Sequence, residues 1–384
     1  MDAYQSTLAA LRESGNLRHI PADSTGDNKL VDLSGNDYLG LSTRHDLTEE
    51  FFAQLDPARV AMTSSASRLL AAGQDEYSRL EALLSGLYGG RACLIFNSGY
   101  HANTGMLSAL ASEPRTLIVA DKLVHASMID GMVLSRAQFR RFAHNDLNHL
   151  ERILKKEHDA FDRVIVAVES VYSMDGDRAD IDALIDLRRR YGKVMLYVDE
   201  AHAFGVCGPQ GLGLVQESKA PDEVDVLIGT FGKAAASVGA FAITSPELRE
   251  YALNRARSFI FSTAIPPVNC AWTRLIVGRM TQMDAERRHL HELAAMLHRR
   301  ITEVAPSLTM PEPSHIMPII VGDAKATVMM SERLRELGFK VLPIRTPTVP
   351  PGTERLRISL NASLDLPVIN RFADVLCNDI SKSR

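Results

Sequence analysis

The stretch that decides the fold is Asp225-Val-Leu-Ile-Gly-Thr230-Phe-Gly-Lys233-Ala234. Its apolar run predicts a buried strand that ends in a tight turn, with Lys233 just beyond the strand. In open α/β sheets, ligands bind outside the carboxyl ends of the strands. A lysine in that place can be desolvated, so that its amine is neutral often enough to form an imine. A surface lysine in a loop fits the same letters, and the rest of the sequence decides between the two.

Short β-rich runs alternate with longer helical stretches from about residue 92 onward, as they do in the βαβ units of a parallel sheet. Several of these runs are almost wholly apolar, which is typical of strands covered by helices on both faces. The predicted strands are Ala92–Phe96, Thr116–Ala120, Gln138–Phe142, Arg163–Val168, Val194–Val198, Val226–Gly229 and Gly239–Thr244.

The pattern changes after Pro266-Pro267. A long helical region follows over residues 268–304, and then come strands near residues 319–321, 341–344 and 355–360. We therefore expect three parts: an N-terminal segment (1–41), a large domain (42–265) and a small C-terminal α+β domain (266–384). A length of 384 residues suits two lobes, because single cores stop growing near ~250 residues.

The composition excludes several classes of protein. Apolar residues make up 46% and charged residues 23%, as in ordinary globular proteins. The 43 basic and 47 acidic residues give a net charge of −4, so the composition shows no excess of basic residues that would bind nucleic acid. The sequence shows no signal peptide and no run of ~18 apolar residues that would cross a membrane. We expect a cytoplasmic protein with neither a nucleic-acid nor a membrane partner.

Neither a disulfide framework nor a metal site is expected. The four cysteines are widely scattered and show no paired spacing, so they are interpreted as reduced thiols. One predicted helix holds His289, His291, Glu292 and His298, but they do not form His-Glu-x-x-His and arginines interrupt them. A solvated helix face accounts for this group better than a metal centre does.

A second chemical signal lies in Leu196-Tyr-Val-Asp199-Glu200-Ala-His202, where an apolar strand ends in a carboxylate followed by an imidazole. A pyridine-ring cofactor needs an acid at its ring nitrogen, and Asp199 fits that role. A helix N-cap and a buried structural histidine are the alternatives for Asp199 and His202. Nucleic-acid helicases share the letters Asp-Glu-Ala-His, but Gly232-Lys233 is followed by Ala234 and no phosphate loop is present.

A third signal is Cys93-Leu-Ile-Phe-Asn97-Ser98-Gly99-Tyr100, which predicts a strand, a turn and the start of a helix. The free amides and the positive dipole end of such a helix suit a phosphate. His125, in Asp121-Lys-Leu-Val-His125-Ala-Ser127, offers a flat ring that could cover a cofactor. Taken alone, Ser98-Gly99 would be an ordinary turn and His125 an ordinary loop histidine.

Together these motifs resemble the α-oxoamine synthases, pyridoxal-phosphate enzymes that condense amino acids with acyl-CoA. The resemblance runs nearly end to end, with the motifs in family order. The matching segments are Ser34-Gly-Asn36-Asp-Tyr-Leu-Gly-Leu41, Asn97-Ser-Gly99-Tyr100, His125-Ala-Ser127, Glu169-Ser-Val-Tyr-Ser173-Met-Asp-Gly176-Asp177, Asp199-Glu-Ala-His202, Thr230-Phe-Gly-Lys233 and Phe261-Ser-Thr-Ala-Ile-Pro-Pro267. The resemblance implies a fold-type I aminotransferase-like α/β fold with a mostly parallel sheet, and a homodimer with active sites at the subunit interface.

The resemblance also implies roles for individual residues toward pyridoxal 5'-phosphate. Lys233 holds the cofactor as a Schiff base, Asp199 pairs with the pyridine nitrogen, and His125 stacks on the ring. The ring oxygen is bonded by Ser173 and His202. The remaining positions, on the phosphate side, are Gly99, Tyr100, Thr230 and, from the neighbouring subunit, Ser262 or Thr263.

Substrate positions follow from the same resemblance. Arg357 is expected to bind the amino acid carboxylate, and Arg18, Asn36, His125 and Thr348 match other substrate positions. Segments 140–146 and 347–357 are most similar to the family member that joins L-alanine to pimeloyl-CoA, or to pimeloyl acyl-carrier protein, in biotin synthesis. An enzyme that uses glycine or serine with another acyl-CoA is the alternative, and a non-catalytic α/β binding protein is the rival from a different class.

The chain departs from the family at two places where relatives often carry glycine. Here the residues are Thr63-Ser-Ser-Ala-Ser67 and, just after the lysine, Ala234-Ala-Ala-Ser237. Because residues with a side chain avoid positive φ, we expect a reshaped backbone there.

Overall fold

The structure is a computed structural model that describes residues 2–18, 20, 30–58, 60–71, 75–306, 308 and 310–382. The chain divides into two compact units, and each is described by itself. The larger unit comprises Leu39–Tyr172 and Arg178–Arg287. The smaller unit comprises Met1–Tyr38, Ser173–Asp177 and Arg288–Arg384.

The helices are α1 (Asp2–Glu13), α2 (His45–Gln54), α3 (Asp75–Leu87), α4 (Gly99–Leu110), α5 (Ala126–Ser135), α6 (Leu147–Glu157), α7 (Ile181–Arg190), α8 (Pro246–Arg255), α9 (Arg257–Ile260), α10 (Pro267–Met280), α11 (Asp284–Val304), α12 (Ala324–Glu336) and α13 (Leu366–Lys382). The strands are β1 (Val31–Asp32), β2 (Ala92–Phe96), β3 (Thr116–Asp121), β4 (Gln138–Phe142), β5 (Arg163–Glu169), β6 (Val194–Asp199), β7 (Val226–Thr230), β8 (Ala240–Thr244), β9 (Ile316–Ile320), β10 (Phe339–Lys340), β11 (Leu342–Ile344) and β12 (Arg355–Ser359).

A seven-stranded sheet forms the centre of the larger unit. Its strand order is β2-β8-β7-β6-β5-β3-β4, and β8 is antiparallel to both of its neighbours while the other pairs are parallel. The last residues of β5 and β6, Glu169 and Asp199, lie opposite each other in register. The predicted α/β fold with a mostly parallel sheet is confirmed, and the carboxyl ends of β5, β6 and β7 meet at one edge.

The apolar residues of these strands are buried, as a sheet covered on both faces requires. Ile118, Ile165 and Tyr197 pack in one cluster with Met106 of α4 and Met128 of α5. Each such side chain contributes about 1.5–3 kcal/mol by leaving water. The core therefore fixes where α4 and α5 begin relative to the strand ends.

The predicted strands of the large sheet agree with the observed ones to within a residue at each end. The helical region over residues 268–304 is a different case, because it forms two helices, α10 and α11. A turn at residues 281–283 separates them. Residues 281–283 contain neither glycine nor proline, so no local breaker in the turn reveals it.

The smaller unit contains an antiparallel sheet in the order β11-β12-β9 and a parallel pair formed by β1 and β10. The β1 pairing joins Val31 to Phe339, so the first residues of the chain belong with its C-terminal part. The compact units thus differ from the expected division at residues 41 and 265. The ranges 1–41, 42–265 and 266–384 stay a proposal about folding domains.

Candidate active site

A cavity of about 160 Å³ lies in the larger unit, where β5, β6 and β7 end. Glu169, Asp199 and Thr230 are the last residues of those three strands. Parallel strands present their carboxyl ends at the same edge, and this edge is where ligands bind in such sheets. The residues that line the cavity are Gly99, Tyr100, Asn103, His125, Ser127, Glu169, Asp199, Ala201, His202, Thr230 and Lys233.

Lys233 and His202 form a close pair in this cavity. Lys233 Nζ lies 2.7 Å from Nε2 of His202. Lys233 is partly buried and His202 is 5% exposed. Lys233 therefore lies in the cavity beyond the strand end, as expected, and is not a loop lysine facing solvent.

Asp199 is buried at the carboxyl end of β6 and is 4% exposed. Its Oδ2 accepts a hydrogen bond of 2.6 Å from Asn103 Nδ2, and its Oδ1 accepts one of 2.8 Å from the amide of Ala201. A buried carboxylate is costly unless hydrogen bonds compensate its charge. These two donors hold the carboxylate at the cavity wall.

His125 precedes α5 and caps it: Nδ1 accepts a hydrogen bond from the amide of Ser127. Ser127 Oγ lies 2.8 Å from the same nitrogen. Loss of surrounding water lowers the pKa of His125, the positive charge of Lys233 acts in the same direction, and Asp199 opposes them. The imidazole is therefore neutral near physiological pH and offers a flat ring at the cavity.

Helix α4 begins beside the cavity. Its N-cap is Ser98, whose side chain accepts a hydrogen bond from the amide of His101, and Gly99 and Tyr100 are its first residues. A Cβ at Gly99 would lie 3.7 Å from Thr230 Oγ1, so the helix start and the end of β7 lie close together. Amides at a helix start, with a hydroxyl beside them, suit a phosphate.

Glu200 is fully buried directly behind Asp199. Its carboxylate accepts hydrogen bonds from Ser170 Oγ and from the amides of Leu214 and Val215, at 2.5, 3.0 and 2.6 Å. A Cβ at Gly213, where φ is 102°, would meet this carboxylate at 2.6 Å. Burial raises the pKa of Glu200 to about 7 despite these bonds. The residue ties the loop that follows His202 to the strand end.

Thr263 is exposed and does not belong to the cavity lining. Its carbonyl accepts a hydrogen bond of 2.6 Å from Asn97 Nδ2, and it forms an isolated β-bridge with Ser67. Its expected function toward a neighbouring subunit stays a prediction.

Arg357 lies in the smaller unit and is 2% exposed. Its guanidinium donates to the carbonyl of Ser173 (2.6 Å), Ser359 Oγ (2.7 Å), Asn36 Oδ1 (3.1 Å) and the hydroxyl of Tyr38 (3.2 Å). Two of the expected site residues, Asn36 and Ser173, thus contact Arg357. An incoming carboxylate would have to share or replace these acceptors.

Arg355 points to the same face of β12 as Arg357, as residues two apart in a strand do. It donates to the carboxylate of Asp175 and to the carbonyl of Met174. At a different place in this unit, Arg18 Nη2 donates to Thr348 Oγ1 over 3.2 Å, and both residues are exposed. The two remaining expected substrate residues therefore lie together.

The sequence reasoning missed Asn103, Ser127, Glu169 and Ala201 in the cavity lining. Asn103 lies in α4, where the sequence shows only a polar residue inside a helix. Its position four residues after Gly99 is the one available signal, because residues four apart share a helix face.

The expected reshaping of the backbone is wrong at two positions. Ser65 has φ 49° and Ala236 has φ 40°, so both adopt the left-handed conformation that glycine favours. Hydrogen bonds hold the turn at Ala236: its amide donates to the carbonyl of Lys233, and its carbonyl accepts from Trp272 Nε1. The surrounding structure thus imposes the conformation without glycine.

The chemistry of the cavity fits pyridoxal phosphate. The cofactor requires an amine for its aldehyde, an acid for its ring nitrogen, a flat partner for its ring and N–H donors for its phosphate. The lining supplies them in Lys233, Asp199, His125 and the first turn of α4. Among the described residues, no cluster of histidine, cysteine and acidic side chains could hold a metal ion.

The comparisons with known proteins identify the class. The aminotransferase class I and II family model matches residues 28–376, so the chain belongs to this family. It is a pyridoxal-phosphate-dependent enzyme with the fold-type I architecture. The expected resemblance to the α-oxoamine synthases is confirmed, as is the assignment to acyl-transferring enzymes.

More particular relatives share most of their length with this chain. Proposed 8-amino-7-oxononanoate synthases from Pasteurella multocida and Neisseria meningitidis are each 46% identical, covering 96% and 98% of this chain and 97% and 100% of theirs. The structure of serine palmitoyltransferase from Sphingomonas wittichii is similar with TM-score 0.87 and 27% identity over 98% of this chain and 96% of that one. The structure of an 8-amino-7-oxononanoate synthase from Francisella tularensis is similar with TM-score 0.78 and 25% identity, over 93% of this chain and 99% of that one.

No helix in the described part of the chain combines the length and apolar character needed to cross a membrane.

Proposed function

We propose that this chain is an 8-amino-7-oxononanoate synthase, which condenses L-alanine with a pimeloyl thioester and releases CO₂ in biotin synthesis. The observation that carries the proposal is the 46% identity, over nearly the whole chain, to relatives named for that reaction. The thioester carrier is CoA or acyl-carrier protein. Removal of the Cα proton and loss of CO₂ both require a site that stabilises negative charge at the α-carbon of the amino acid.

Bound pyridoxal phosphate would supply an electron sink for the pair released at that carbon. Lys233 would hold the cofactor covalently and, once displaced by alanine, take the Cα proton on Nζ. Its 2.7 Å contact with His202 supports this function, because the imidazole restrains the amine at the cavity wall. Asp199 would lie opposite the ring nitrogen, where hydrogen bonds from Asn103 and from the amide of Ala201 hold its carboxylate in place.

The other expected residues would bind and orient. His125 would lie on the cofactor ring, and Ser173 and His202 would bond the ring oxygen. The phosphate would be held by the first amides of α4, at Gly99 and Tyr100, and by Thr230. Two carboxylate oxygens match a planar guanidinium well, so Arg357 would bind the alanine carboxylate and set the angle of the Cα–H bond. Arg18, Asn36 and Thr348 would contact the substrates.

We further propose a cytoplasmic homodimer in which Thr263 reaches the neighbouring subunit's cofactor phosphate. Three apolar side chains close in sequence to the Ser67–Thr263 bridge are strongly exposed: Met62 by 73%, Leu70 by 80% and Phe261 by 70%. The proposed interface would cover these three side chains, since contiguous exposed apolar surface marks contacts between proteins. Sedimentation at assay concentration tests the assembly, and a fully active monomer would contradict it.

A panel of substrates tests the function. Purified, cofactor-loaded enzyme is assayed with alanine, glycine and serine, each combined with pimeloyl, acetyl, succinyl and palmitoyl thioesters. We expect the highest kcat/KM for alanine with a pimeloyl thioester. The structural similarity to serine palmitoyltransferase makes serine with palmitoyl-CoA the second candidate, and a preference for that pair would replace the proposal.

A further inference from the structure

A hydrogen-bonded network of buried side chains lies along the cavity wall and centres on Asn103. Its Nδ2 donates to Asp199 Oδ2 over 2.6 Å and to Ser127 Oγ over 2.9 Å. Its Oδ1 accepts from the hydroxyl of Tyr197 over 2.8 Å. Asn103 is 1% exposed, and Ser127 and Tyr197 are fully buried. The network joins helix α4 to β6 and to the start of α5.

The carboxylate of Asp199 and the hydroxyl of Tyr197 together fix which way the amide of Asn103 faces. Burial raises the pKa of Tyr197 well above its usual value, so its proton stays in place as a donor. The acceptor that faces this proton is Oδ1 of Asn103. The NH₂ group of Asn103 then faces Asp199 and Ser127. Both hydrogens of the amide nitrogen are thus committed to the cavity wall.

The same reasoning extends to His125. Because Ser127 Oγ accepts a hydrogen from Asn103, its own hydrogen is free to point at His125 Nδ1, 2.8 Å away. The amide of Ser127 donates to that nitrogen as well. Nδ1 is therefore an acceptor, and a neutral imidazole must carry its proton on Nε2.

We propose that Asn103 is a positioning residue for the cofactor ring: its amide orients the Asp199 carboxylate and, by donating to Ser127 Oγ, directs the hydrogen of that hydroxyl at His125 Nδ1, beside the amide of Ser127 that already donates there. One side chain thereby orients the carboxylate at the ring nitrogen and adds a second donor to the imidazole that stacks on the cofactor. The inference rests on the proposed functions of Asp199 and His125, and it is independent of which amino acid and thioester react.

Cofactor affinity gives the first test. Pyridoxal phosphate is titrated into cofactor-free full-length protein, and its dissociation constant is measured by absorbance. Asn103→Leu keeps the size of the side chain and removes both donors. We expect a dissociation constant higher by roughly 10- to 100-fold, as for loss of a hydrogen bond to a charged group.

Thr104→Val is the matched control, because Thr104 is buried in the same helix and its hydroxyl bonds the carbonyl of Tyr100 rather than the cavity network. We expect its dissociation constant to stay within about twofold of the unaltered value, since a neutral helix hydrogen bond contributes little to the site. Equal affinities for Asn103→Leu and the unaltered protein would overturn the proposal, as would an equal loss in Thr104→Val.

The imidazole gives a second, spectroscopic readout that does not depend on activity or on the cofactor. In ¹⁵N-histidine-labelled protein, the signals of His125 are identified by their absence in His125→Gln. We expect an unprotonated Nδ1 and a protonated Nε2 in the unaltered protein, and a shifted Nδ1 signal in Asn103→Leu, where the hydroxyl of Ser127 is no longer directed at that nitrogen. A proton on Nδ1 in the unaltered protein, or an unchanged Nδ1 signal in Asn103→Leu, would overturn the proposal.

Should Asn103→Leu fail to fold, Tyr197→Phe removes only the hydroxyl that orients the amide. It should raise the cofactor dissociation constant by a smaller factor than Asn103→Leu would, and unchanged affinity in this variant would equally contradict the proposal. If the substrate panel fails while both readouts behave as expected, the proposed reaction is wrong and the positioning function of Asn103 stands.

Discussion

Lys233 Nζ and His202 Nε2 lie 2.7 Å apart, at the ends of two neighbouring parallel strands. Lys233 follows β7 by three residues and His202 follows β6 by three residues. The sheet therefore aligns the two side chains by geometry that is independent of any ligand. Because the amine is held at the cavity wall, it is the lysine that a cofactor aldehyde entering this cavity would meet.

Borohydride reduction of the cofactor-loaded protein should attach the cofactor irreversibly to Lys233. Peptide mass analysis after digestion is the measurement. Lys233→Ala should lose the label, while Lys122→Ala, which alters an exposed lysine after β3, should keep it. A label on any other lysine would refute the assignment.

Arg357→Lys should raise the KM for alanine and lower kcat. Lysine can hold a carboxylate only as a point charge, whereas the guanidinium offers two parallel hydrogen bonds and sets the substrate's angle. We expect kcat/KM to fall by roughly 10- to 100-fold, the equivalent of ~1.5–3 kcal/mol for a charged hydrogen bond. Steady-state kinetics with alanine as the varied substrate measures both constants.

Arg355→Lys is the matched change, because Arg355 lies two residues away on the same strand and binds Asp175. Its effect on alanine kinetics should be smaller. If Arg355→Lys is the more damaging variant, the carboxylate is bound elsewhere.

The buried Glu200 should make stability depend on pH. Burial raises its pKa from the usual 4.5 to about 7, so between these values the folded protein holds a proton that the unfolded chain has lost. Stability then falls as the pH rises through this window, by up to about 1.4 kcal/mol per pH unit. Urea unfolding at several pH values should show this slope in the unaltered protein and its loss in Glu200→Gln.

Glu217→Gln is the control, since Glu217 is exposed on the same loop. It should keep the slope of the unaltered protein. A Glu200→Gln variant with an unchanged slope would show that other groups carry the pH dependence.

Ala236→Gly should stabilise the protein. Alanine in the left-handed conformation costs roughly 1–2 kcal/mol, and glycine removes this strain. Glycine also makes the unfolded chain more flexible, which offsets part of the stabilisation. We expect an increase of about 0.5–1 kcal/mol in the free energy of unfolding, measured by urea denaturation. Ala235→Gly, at a fully buried neighbour without positive φ, should instead destabilise.

The sequence predicted the parts of the fold and site that depend on local patterns. Apolar runs located the strands of the large sheet, and a residue placed just after a strand, such as His202 or Lys233, had to lie at the carboxyl edge. Asn103 escaped prediction because its bond to Asp199 spans 96 residues and depends on how α4 packs on β6. The sequence of a helix does not show how that helix is positioned against a strand.

Long-range pairing explains the other differences. The first residues of the chain belong with its last part because Val31 pairs with Phe339. The sequence around Val31 does not indicate which strand it pairs with. The left-handed Ala236 is likewise imposed from outside, by the bond from Trp272, against the local preference of alanine. The sequence could show only the preference.

Isotope tracing tests the proposed reaction most directly. The cofactor-loaded enzyme is incubated with a pimeloyl thioester and alanine labelled with ¹³C at either C1 or C2, and the CO₂ and the amino-ketone are analysed by mass spectrometry. We predict that the C1 label leaves as CO₂ and that the C2 label remains in 8-amino-7-oxononanoate. An amino-ketone that retains C1, or no condensation product from alanine under conditions where another amino acid reacts, would contradict the account.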